Sequence, residues 1–410
     1  MTQQELIPHL FRTEYRKIVA VLCKRFGFEE IETAEDIASD TFLIATQTWS
    51  YNGAPPNPAA WLYNVAKNKA KNYLQRGSTF ETKVALQIIN NTDLSYEYDL
   101  DLSPQNINDS QLQMMFAICH PIIPPEAQIG LSLRILCGFG IDEIAEAFLT
   151  NKETINKRLF RAKEKLRQEK IKIEFPGPSE IEERLETVLT TIYLLFSEGY
   201  YSVSQNQTLR KDLCLEAMRL CTMLAENKST DRPEVNALLS LMYFHSSRFD
   251  ARINQNGELV LYDEQDTRLW NYDLIGKGVY YFHKAATGNK LSKYHLEAGI
   301  AYWNTRKDDT KEKWENILQL YNRLLQIAYS PVAALNRTFA LSKANSKAEA
   351  IIEAEKLKLV NNQFYFALLG ELYTGIDPER ALENFKAAYS LAKTPADKQA
   401  MQKKLQNIKL

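Results

Sequence analysis

The sequence is poor in the residues that interrupt helices, with 15 glycines and 14 prolines among 410 residues. Alanine, leucine, glutamate and lysine are abundant instead. This balance argues against a sandwich or barrel of short strands joined by turns, and it predicts an all-α protein. The length is sufficient for two or three domains, each with its own hydrophobic core.

An excess of charge of either sign is also missing, since the formal net charge is −1. No global electrostatic field can therefore attract nucleic acid or a membrane surface. Any basic binding surface must be local, with acidic residues elsewhere in the chain offsetting it.

The sequence contains few cysteines, and their spacing does not suggest pairs. The five cysteines form no CxxC motif, which predicts reduced thiols rather than a disulfide framework. They are Cys23, Cys119, Cys137, Cys214 and Cys221. Cys119, next to His120, lacks the spacing of a metal site, so a buried thiol is expected there.

The sequence shows neither an HExxH motif nor a glycine-rich phosphate loop. No metal, cofactor or enzymatic activity is expected.

Long hydrophobic runs are lacking as well. The first residues, MTQQELIPHLFRTEYRK, contain no apolar core of a secretory signal. No segment approaches the roughly 18 apolar residues that span a bilayer. We expect a cytoplasmic protein without a membrane partner.

Three amphipathic helices are predicted near the N-terminus, over 4–26, 32–49 and 59–76. Thr33 is the expected N-cap of the second helix, with Asp36 three residues on in a box-like arrangement. The glycine and prolines of SYNGAPPNP separate the second helix from the third.

The third helix combines cations, aromatic rings and amides. Its cations, with no acidic residue among them, are Lys67, Lys69, Lys71 and Arg76. The interleaved aromatic and amide residues are Trp61, Tyr63, Tyr73, Asn64, Asn68 and Asn72. Such a surface suits a separated or melting strand, whose bases can stack and be hydrogen-bonded. The alternative is that Trp61, Leu62 and Val65 only build a core.

A helix-turn-helix is predicted between Ile141 and Arg167. IDEIAEAF forms the first helix and LTNKET the turn. The second helix would bury Ile155, Leu159, Ala162 and Leu166. Its exposed side would carry Lys152, Asn156, Lys157, Arg161, Lys163 and Lys165. Such a division lets one face pack while the other enters the major groove. The alternative is an ordinary solvated surface helix.

Two further breaks divide the chain. Residues 78–109 form an expected linker, whose polar and acidic end carries Asp93, Glu97, Asp99, Asp101 and Asp109. EFPGPS, at 174–179, precedes a C-terminal half that consists of consecutive helices.

Part of that half fits the tetratricopeptide pattern. Phe366, Leu369, Gly370 and Tyr373 would lie on the first helix of a repeat, and Ala381, Phe385 and Ala388 on the second. A weaker copy uses Leu335, Asn336, Phe339, Ala348 and Ile352. The polar stretch 248–270 predicts either a pocket or surface ion pairs, with a short hairpin at GELVLYDEQD.

The chain resembles the extracytoplasmic-function sigma factors of the sigma-70 type, over essentially its whole length. TAEDIASDTFLIATQTW and PAAWLYNVAKNKAKNYLQR are similar to regions 2.2 to 2.4. IPPEAQIGLSLRILCGFGIDEIAEAFLTNKETINKRLFRAKEKLR is similar to region 4. YLLFSEGYY and the helical tail resemble the subgroup with a long, tetratricopeptide-like C-terminal extension.

The resemblance implies roles for individual residues. Asp36, Asp40 and Phe42 would dock on the clamp helices of the polymerase's largest subunit. The −10 element would be melted, and a flipped base held, by the preceding YNGAPPNP loop together with the helix that carries Trp61, Asn68, Lys69, Lys71, Asn72 and Arg76. The −35 element would be read by Lys152, Glu153, Thr154, Asn156, Lys157 and Arg161. Many relatives carry an Asp-Arg pair where this chain has Asn72 and Arg76.

The expected organisation is a region 2 domain at 1–77, the linker at 78–109, a region 4 helix-turn-helix domain at 110–175 and a helical-repeat extension at 179–410. The expected partners are core RNA polymerase and the −10 and −35 promoter elements, with a possible protein partner for the extension, which would regulate activity. Two alternatives remain, a free-standing helix-turn-helix regulator and a helical-repeat adaptor protein.

Overall fold

The computed structural model describes residues 3–85, 100–148, 150–201, 210–252, 260, 262–392 and 395–407. These residues form helices and turns without a strand, which confirms the all-α prediction. The chain divides into two compact units, Met1–Leu195 and Phe196–Leu410.

The first unit contains the predicted N-terminal helices and the helix-turn-helix. Its helices are α1 (Gln3–Phe26), α2 (Ile31–Asn52), α3 (Pro58–Ala85), α4 (Pro104–Ile118), α5 (Pro125–Leu131), α6 (Ile141–Ala147), α7 (Lys152–Gln168) and the first part of α8 (Pro178–Tyr201). A 3₁₀ turn at Phe28–Glu30 joins α1 to α2, and a π-helical turn at Ser132–Leu136 continues α5.

The second unit continues as a series of helices. They are α9 (Lys211–Glu226), α10 (Pro233–Ser246), α11 (Tyr272–Ala285), α12 (Lys293–Trp303), α13 (Lys311–Ile327), α14 (Pro331–Ala344), α15 (Lys347–Leu357), α16 (Gln363–Tyr373), α17 (Pro378–Leu391) and α18 (Pro395–Asn407).

The start of α2 differs from the prediction. Its N-cap residue is Glu30, and the Thr33 hydroxyl donates a hydrogen bond of 2.6 Å to the Glu30 carboxylate. Thr33 therefore lies inside the helix, and its prediction as the N-cap was wrong. Gly53 ends α2 with a φ of 75°, a left-handed conformation that glycine adopts without steric cost.

The expected linker is partly helical. Helix α3 continues to Ala85, and α4 begins at Pro104, where the Ser103 side chain accepts a hydrogen bond from the backbone amide of Asn106. Helix α4 packs on α1, and Lys24 donates to Asn106 at 3.0 Å. Segments expected to form two domains, 1–77 and 110–175, thus share one compact unit. The predicted acidic residues Asp93, Glu97 and Asp99 lie outside the described residues.

The unit boundary lies within α8 rather than before it. The Arg184 side chain donates to the carbonyl of Phe116 at 2.8 Å, and the Thr191 hydroxyl donates to Gln128 at 3.0 Å. Both partners belong to the first unit. The apolar residues buried on this part of α8 are Ile181, Leu185, Val188, Leu189, Ile192 and Leu195. Residues 178–195 therefore complete the N-terminal core, although sequence placed them in the extension.

The predicted helix pair near the C-terminus is present as α16 and α17. A Cβ atom on Gly370 would lie 2.8 Å from the ring of Phe385, so only glycine allows these helices to approach so closely. Leu369 and Tyr373 are buried on α16, as are Ala381 and Ala388 on α17.

The weaker repeat copy was assigned in the wrong register. Helix α15 buries Ala350, Ile351 and Ala354, whereas Ile352 is 58% exposed and Ala348 is also exposed. In the predicted hairpin, Tyr262–Glu264 form a 3₁₀ turn, and most of the preceding residues lie outside the described part of the chain.

All five cysteines are buried thiols outside any disulfide. Within the described ranges, no three His, Cys, Asp or Glu side chains are grouped as metal ligands. No described helix combines the length and the hydrophobicity that crossing a bilayer requires.

The position of α8 predicts how the chain tolerates truncation. A fragment that ends at Leu195 should be soluble and cooperatively folded, because it keeps the apolar face of α8. A fragment that ends at Pro178 should lose about 1.5–3 kcal/mol for each buried Leu, Val or Ile side chain that is removed. Urea unfolding followed by circular dichroism compares the two, and equal midpoints would contradict the boundary.

Candidate nucleic-acid interface

The helix-turn-helix forms as predicted. Ile144 and Ala145 of α6 are buried, as are Ile155, Leu159, Ala162 and Leu166 of α7. Asn151 is the N-cap of α7, and its side chain accepts a hydrogen bond of 2.8 Å from the backbone amide of Thr154. The turn and the apolar stripe together hold α7 with its opposite face in solvent.

The solvent face of α7 carries most of the predicted base and phosphate contacts. Lys152, Glu153, Asn156, Lys157 and Arg161 are exposed, and Thr154 is half-buried. Lys157 pairs with Glu153 of the same face at 2.6 Å, and Lys152 pairs with Asp142 of α6 at 2.6 Å. Such exposed pairs contribute little to stability and leave the cations accessible to phosphates.

Phe160 is part of this face and was missed by the sequence analysis. It is 62% exposed between Asn156 and Arg161. The helical periodicity of the sequence could have identified Phe160 as exposed, because it falls outside the buried stripe of Leu159 and Ala162. An exposed ring on such a helix can contact a thymine methyl group in the major groove.

Lys163 was predicted on the exposed side, and this was wrong. Its residue exposure is 9%, because the side chain turns toward the N-terminal helices and donates to the carboxylate of Glu35. Lys165 is exposed as predicted and pairs with Glu169 at 2.8 Å.

Glu35 of α2 joins the helix-turn-helix to the three N-terminal helices. One carboxylate oxygen accepts from Lys163 of α7, and the other accepts from Nε of Arg134 at 2.9 Å. Arg134, in the π-helical turn, also donates to the carbonyl of Phe139 and lies over the ring of Tyr15. Glu35 and Lys163 are 8% and 9% exposed and Arg134 is half-buried, so the centre of this cluster is buried, with the carboxylate of Glu32 at its edge 3.8 Å from Lys163.

Two ion pairs at the rim extend the same interface. Arg167 of α7 pairs with Glu32 of α2 at 2.6 Å and donates to the carbonyl of Phe28 at 3.3 Å. Arg12 of α1 pairs with Glu143 of α6 at 2.8 Å. Both helices of the helix-turn-helix are thereby bound to the N-terminal helices.

Helix α3 presents the second predicted face. Asn68, Lys71, Asn72 and Arg76 are exposed, whereas Lys69 is half-buried and pairs with Asp40 at 2.8 Å. The exposed residues form the surface that the sequence predicted for a separated strand.

The aromatic residues of α3 are less accessible than predicted. Trp61 is half-buried against Trp49, with ring centroids 5.3 Å apart. The hydroxyl of Tyr63 donates to Glu14, and that of Tyr73 donates to Glu30. Tyr51, in contrast, is 91% exposed in the last turn of α2.

The predicted polymerase contacts on α2 are divided between surface and core. Asp36 and Asp40 are exposed, but Phe42 is 4% exposed and packs against Phe11 with ring centroids 5.1 Å apart. A direct contact of Phe42 with a partner is therefore corrected to a supporting role in the core. Leu43 is 55% exposed beside Asp36 and Asp40 on α2, and sequence reasoning missed it.

Two family models match the chain. The Sigma-70 region 2 model matches residues 10–79, which cover most of α1, α2 and α3. A family of unknown function, DUF6596, matches residues 184–286, from within α8 to the end of α11.

An uncharacterised protein of Rhizobium meliloti (strain 1021) is 32% identical over 349 residues, which are 84% of this chain and 82% of the relative. The chain belongs to the family of this protein.

More distant relatives cover the first half. The ECF RNA polymerase sigma-E factor of Haemophilus influenzae is 26% identical over 160 residues, 38% of this chain and 83% of the relative. The RNA polymerase sigma factor YlaC of Bacillus subtilis is 24% identical over 168 residues, 41% of this chain and 94% of the relative. No solved structure matches the chain. The matches support an RNA polymerase sigma factor, a transcription factor rather than an enzyme.

The buried cluster predicts a large effect of one isosteric change in region 2. Glu35→Gln removes the anion that Lys163 and Arg134 share and leaves Lys163 only the more distant Glu32 carboxylate, 3.8 Å away, so unfolding of the first unit should become easier by about 3–5 kcal/mol. Urea unfolding of the full chain measures this. Glu169→Gln, which removes only an exposed pair, is the control and should leave the midpoint unchanged. A Glu35→Gln midpoint equal to that of the wild type would contradict the geometry.

Proposed function

We propose that the protein directs core RNA polymerase to particular promoters as a sigma factor, with region 2 acting at the −10 element and the helix-turn-helix at the −35 element. The observation that carries this proposal is the pair of exposed faces on α3 and α7 in a chain that contains a Sigma-70 region 2. A single duplex-binding module would need only one of them.

Helix α3 acts on the separated strand in this proposal. Lys71 and Arg76 are exposed and bind the backbone phosphates, while the amides of Asn68 and Asn72 hydrogen-bond an unpaired base. Trp61 supplies a partly exposed ring beside this face, and Lys69 joins it when its pair with Asp40 opens. Asp36, Asp40 and Leu43 form the surface of α2 for the polymerase.

Helix α7 enters the major groove in this proposal. Lys152, Lys157 and Arg161 bind phosphates or guanine edges, and Glu153 and Asn156 contact other base edges. The buried stripe of α7 keeps its position on α6, so the exposed side chains are presented as a rigid set.

The Glu35 cluster implies that the first unit must open on a promoter. The −10 and −35 elements are named for positions about 25 base pairs apart, which is roughly 85 Å of duplex at about 3.4 Å per base pair. Region 2 and α7 are in direct contact through Glu35 and Lys163. They cannot reach both elements together until this interaction breaks. We therefore propose that the described arrangement is a closed, promoter-free state.

We further propose that residues 196–410 regulate this activity as a tetratricopeptide-like domain. The close pair α16 and α17, with Gly370 against Phe385, supports a helical-repeat architecture. Repeat domains of this kind present extended surfaces to protein partners. Whether such a partner activates or inhibits is decided by transcription with and without this unit.

The test is transcription in vitro with core polymerase, on promoters located by run-off transcription of genomic DNA. Lys157→Ala and Arg161→Ala together should weaken promoter binding by the holoenzyme. The slope of log affinity against log salt should fall by about 1 for each phosphate that the variant no longer neutralises. Lys165→Ala removes an exposed cation of the same helix that pairs with Glu169, and it is the matched control.

Unchanged transcription by the double variant would remove α7 from the DNA interface.

A gel shift distinguishes the sigma factor from a free-standing regulator. A free-standing regulator binds duplex promoter alone, whereas a sigma factor needs core polymerase. Capture of a partner by residues 196–410 alone, with no effect of the chain on transcription, would instead favour the adaptor.

A further inference from the structure

Two arginines lie together just beyond the end of α10 in the second unit. Arg248 is 7% exposed, and Arg252 is half-buried. The guanidinium of Arg252 lies 3.8 Å from the ring centroid of Tyr200, and a nitrogen of Arg248 lies 3.5 Å from the hydroxyl of the same tyrosine. The two cations therefore share one aromatic side chain.

Neither arginine has a carboxylate partner within the described ranges of the chain. Asp250 lies between them in sequence but pairs with Lys211. Buried nitrogens remain without a hydrogen bond, namely Nε of Arg248 and Nη1 of Arg252. Uncompensated buried cations are strongly unfavourable, and buried polar atoms almost always have partners.

The surroundings carry both signs of charge, because Asp263, Asp308 and Asp309 lie near Tyr262 and Lys313, but Asp308 and Asp309 pair with Arg306 and Lys343 rather than with the two arginines. Lys307 and Lys313 lie 5.1 and 5.2 Å from the ring centroid of Tyr262, and Arg248 lies 5.4 Å from it. The two lysines are satisfied by other groups, because Lys307 donates to three backbone carbonyls and Lys313 to Tyr262 and the Arg306 carbonyl. The unmet donors thus belong to the arginines.

His245 cannot compensate the two arginines either, because a histidine side chain carries no negative charge. It is half-buried, and its ring centroid lies 4.5 Å from that of Tyr200. Burial, and then the nearby charges of Arg248 and Arg252, lower the pKa of His245 well below its ordinary value. The carboxyl end of α10 contributes only about half a negative charge, which is less than two cations require.

We infer that Arg248 and Arg252 bind an oxyanion, the phosphate or carboxylate group of a small molecule, beside Tyr200 and Tyr262. The planar fork of each guanidinium matches two oxygens of such a group, and the buried nitrogens would gain charge-assisted hydrogen bonds. This inference does not rest on the proposed sigma activity. It gives the second unit a small-molecule ligand, in addition to any protein partner.

The test is thermal unfolding and calorimetric titration of the full chain with inorganic phosphate, and separately with succinate, at constant ionic strength. At least one probe should raise the unfolding temperature and bind with a dissociation constant below about 10 mM, and the better probe identifies the group. Arg252→Met should abolish this effect. Arg252→Lys, which keeps the charge but loses the fork, should weaken it at least tenfold. Arg268→Met, at an exposed arginine of the same polar stretch, should bind as the wild type does.

Two results would overturn the inference. One is no binding of either probe to the wild type, and the other is equal binding by Arg252→Met. The first result would be explained by Glu258, the acidic residue in 253–259, which lies outside the described residues. If Glu258→Gln lowers the unfolding temperature as much as Arg252→Met and neither probe binds, the chain supplies its own anion.

Discussion

The Glu35 carboxylate sits between Lys163 and Arg134, and the arrangement of the first unit depends on this interaction. It joins α2 to the π-helical turn and to α7, whose cations lie 99 and 128 residues further along the chain than Glu35. Because both cations share this buried carboxylate, its removal leaves both without their common anion, whereas removal of either cation leaves a balanced pair. The rim pairs of Arg167 and Arg12 are more exposed and contribute less.

The same interaction constrains function. If region 2 and the helix-turn-helix act at the −10 and −35 elements, as we propose, they cannot reach two sites about 25 base pairs apart while Glu35 holds them together. A buried ion cluster suits an interface that must open, since its members are well hydrated once they are separated. Opening costs the Coulombic attraction but regains hydration, and the balance is smaller than for an apolar interface of equal area. Core polymerase and promoter DNA would supply the difference through interactions made only in the open state.

Local patterns in the sequence predicted much of this structure. The apolar stripe of Ile155, Leu159, Ala162 and Leu166 identified α7 and its exposed side, because helical periodicity alone determines which residues share a face. Lys163 and Phe42 were misplaced for one physical reason. Their burial comes from segments distant in sequence, and a periodic pattern carries no information about which partner covers a helix. The division of α8 at Leu195 was missed similarly, since its apolar residues do not reveal which unit they pack against.

The most direct measurement is the distance between region 2 and α7 in free and promoter-bound protein. Dyes on Ser50→Cys and Gln168→Cys report this distance by energy transfer. Both positions are exposed and lie outside the DNA-facing sets. The native cysteines are buried, so the dyes should react mainly with the two introduced cysteines. The account predicts high transfer in the free chain and a large fall in the transcription-competent complex with core polymerase and promoter, as the two modules separate toward roughly 85 Å. High transfer that persists in a complex that makes transcript would contradict it.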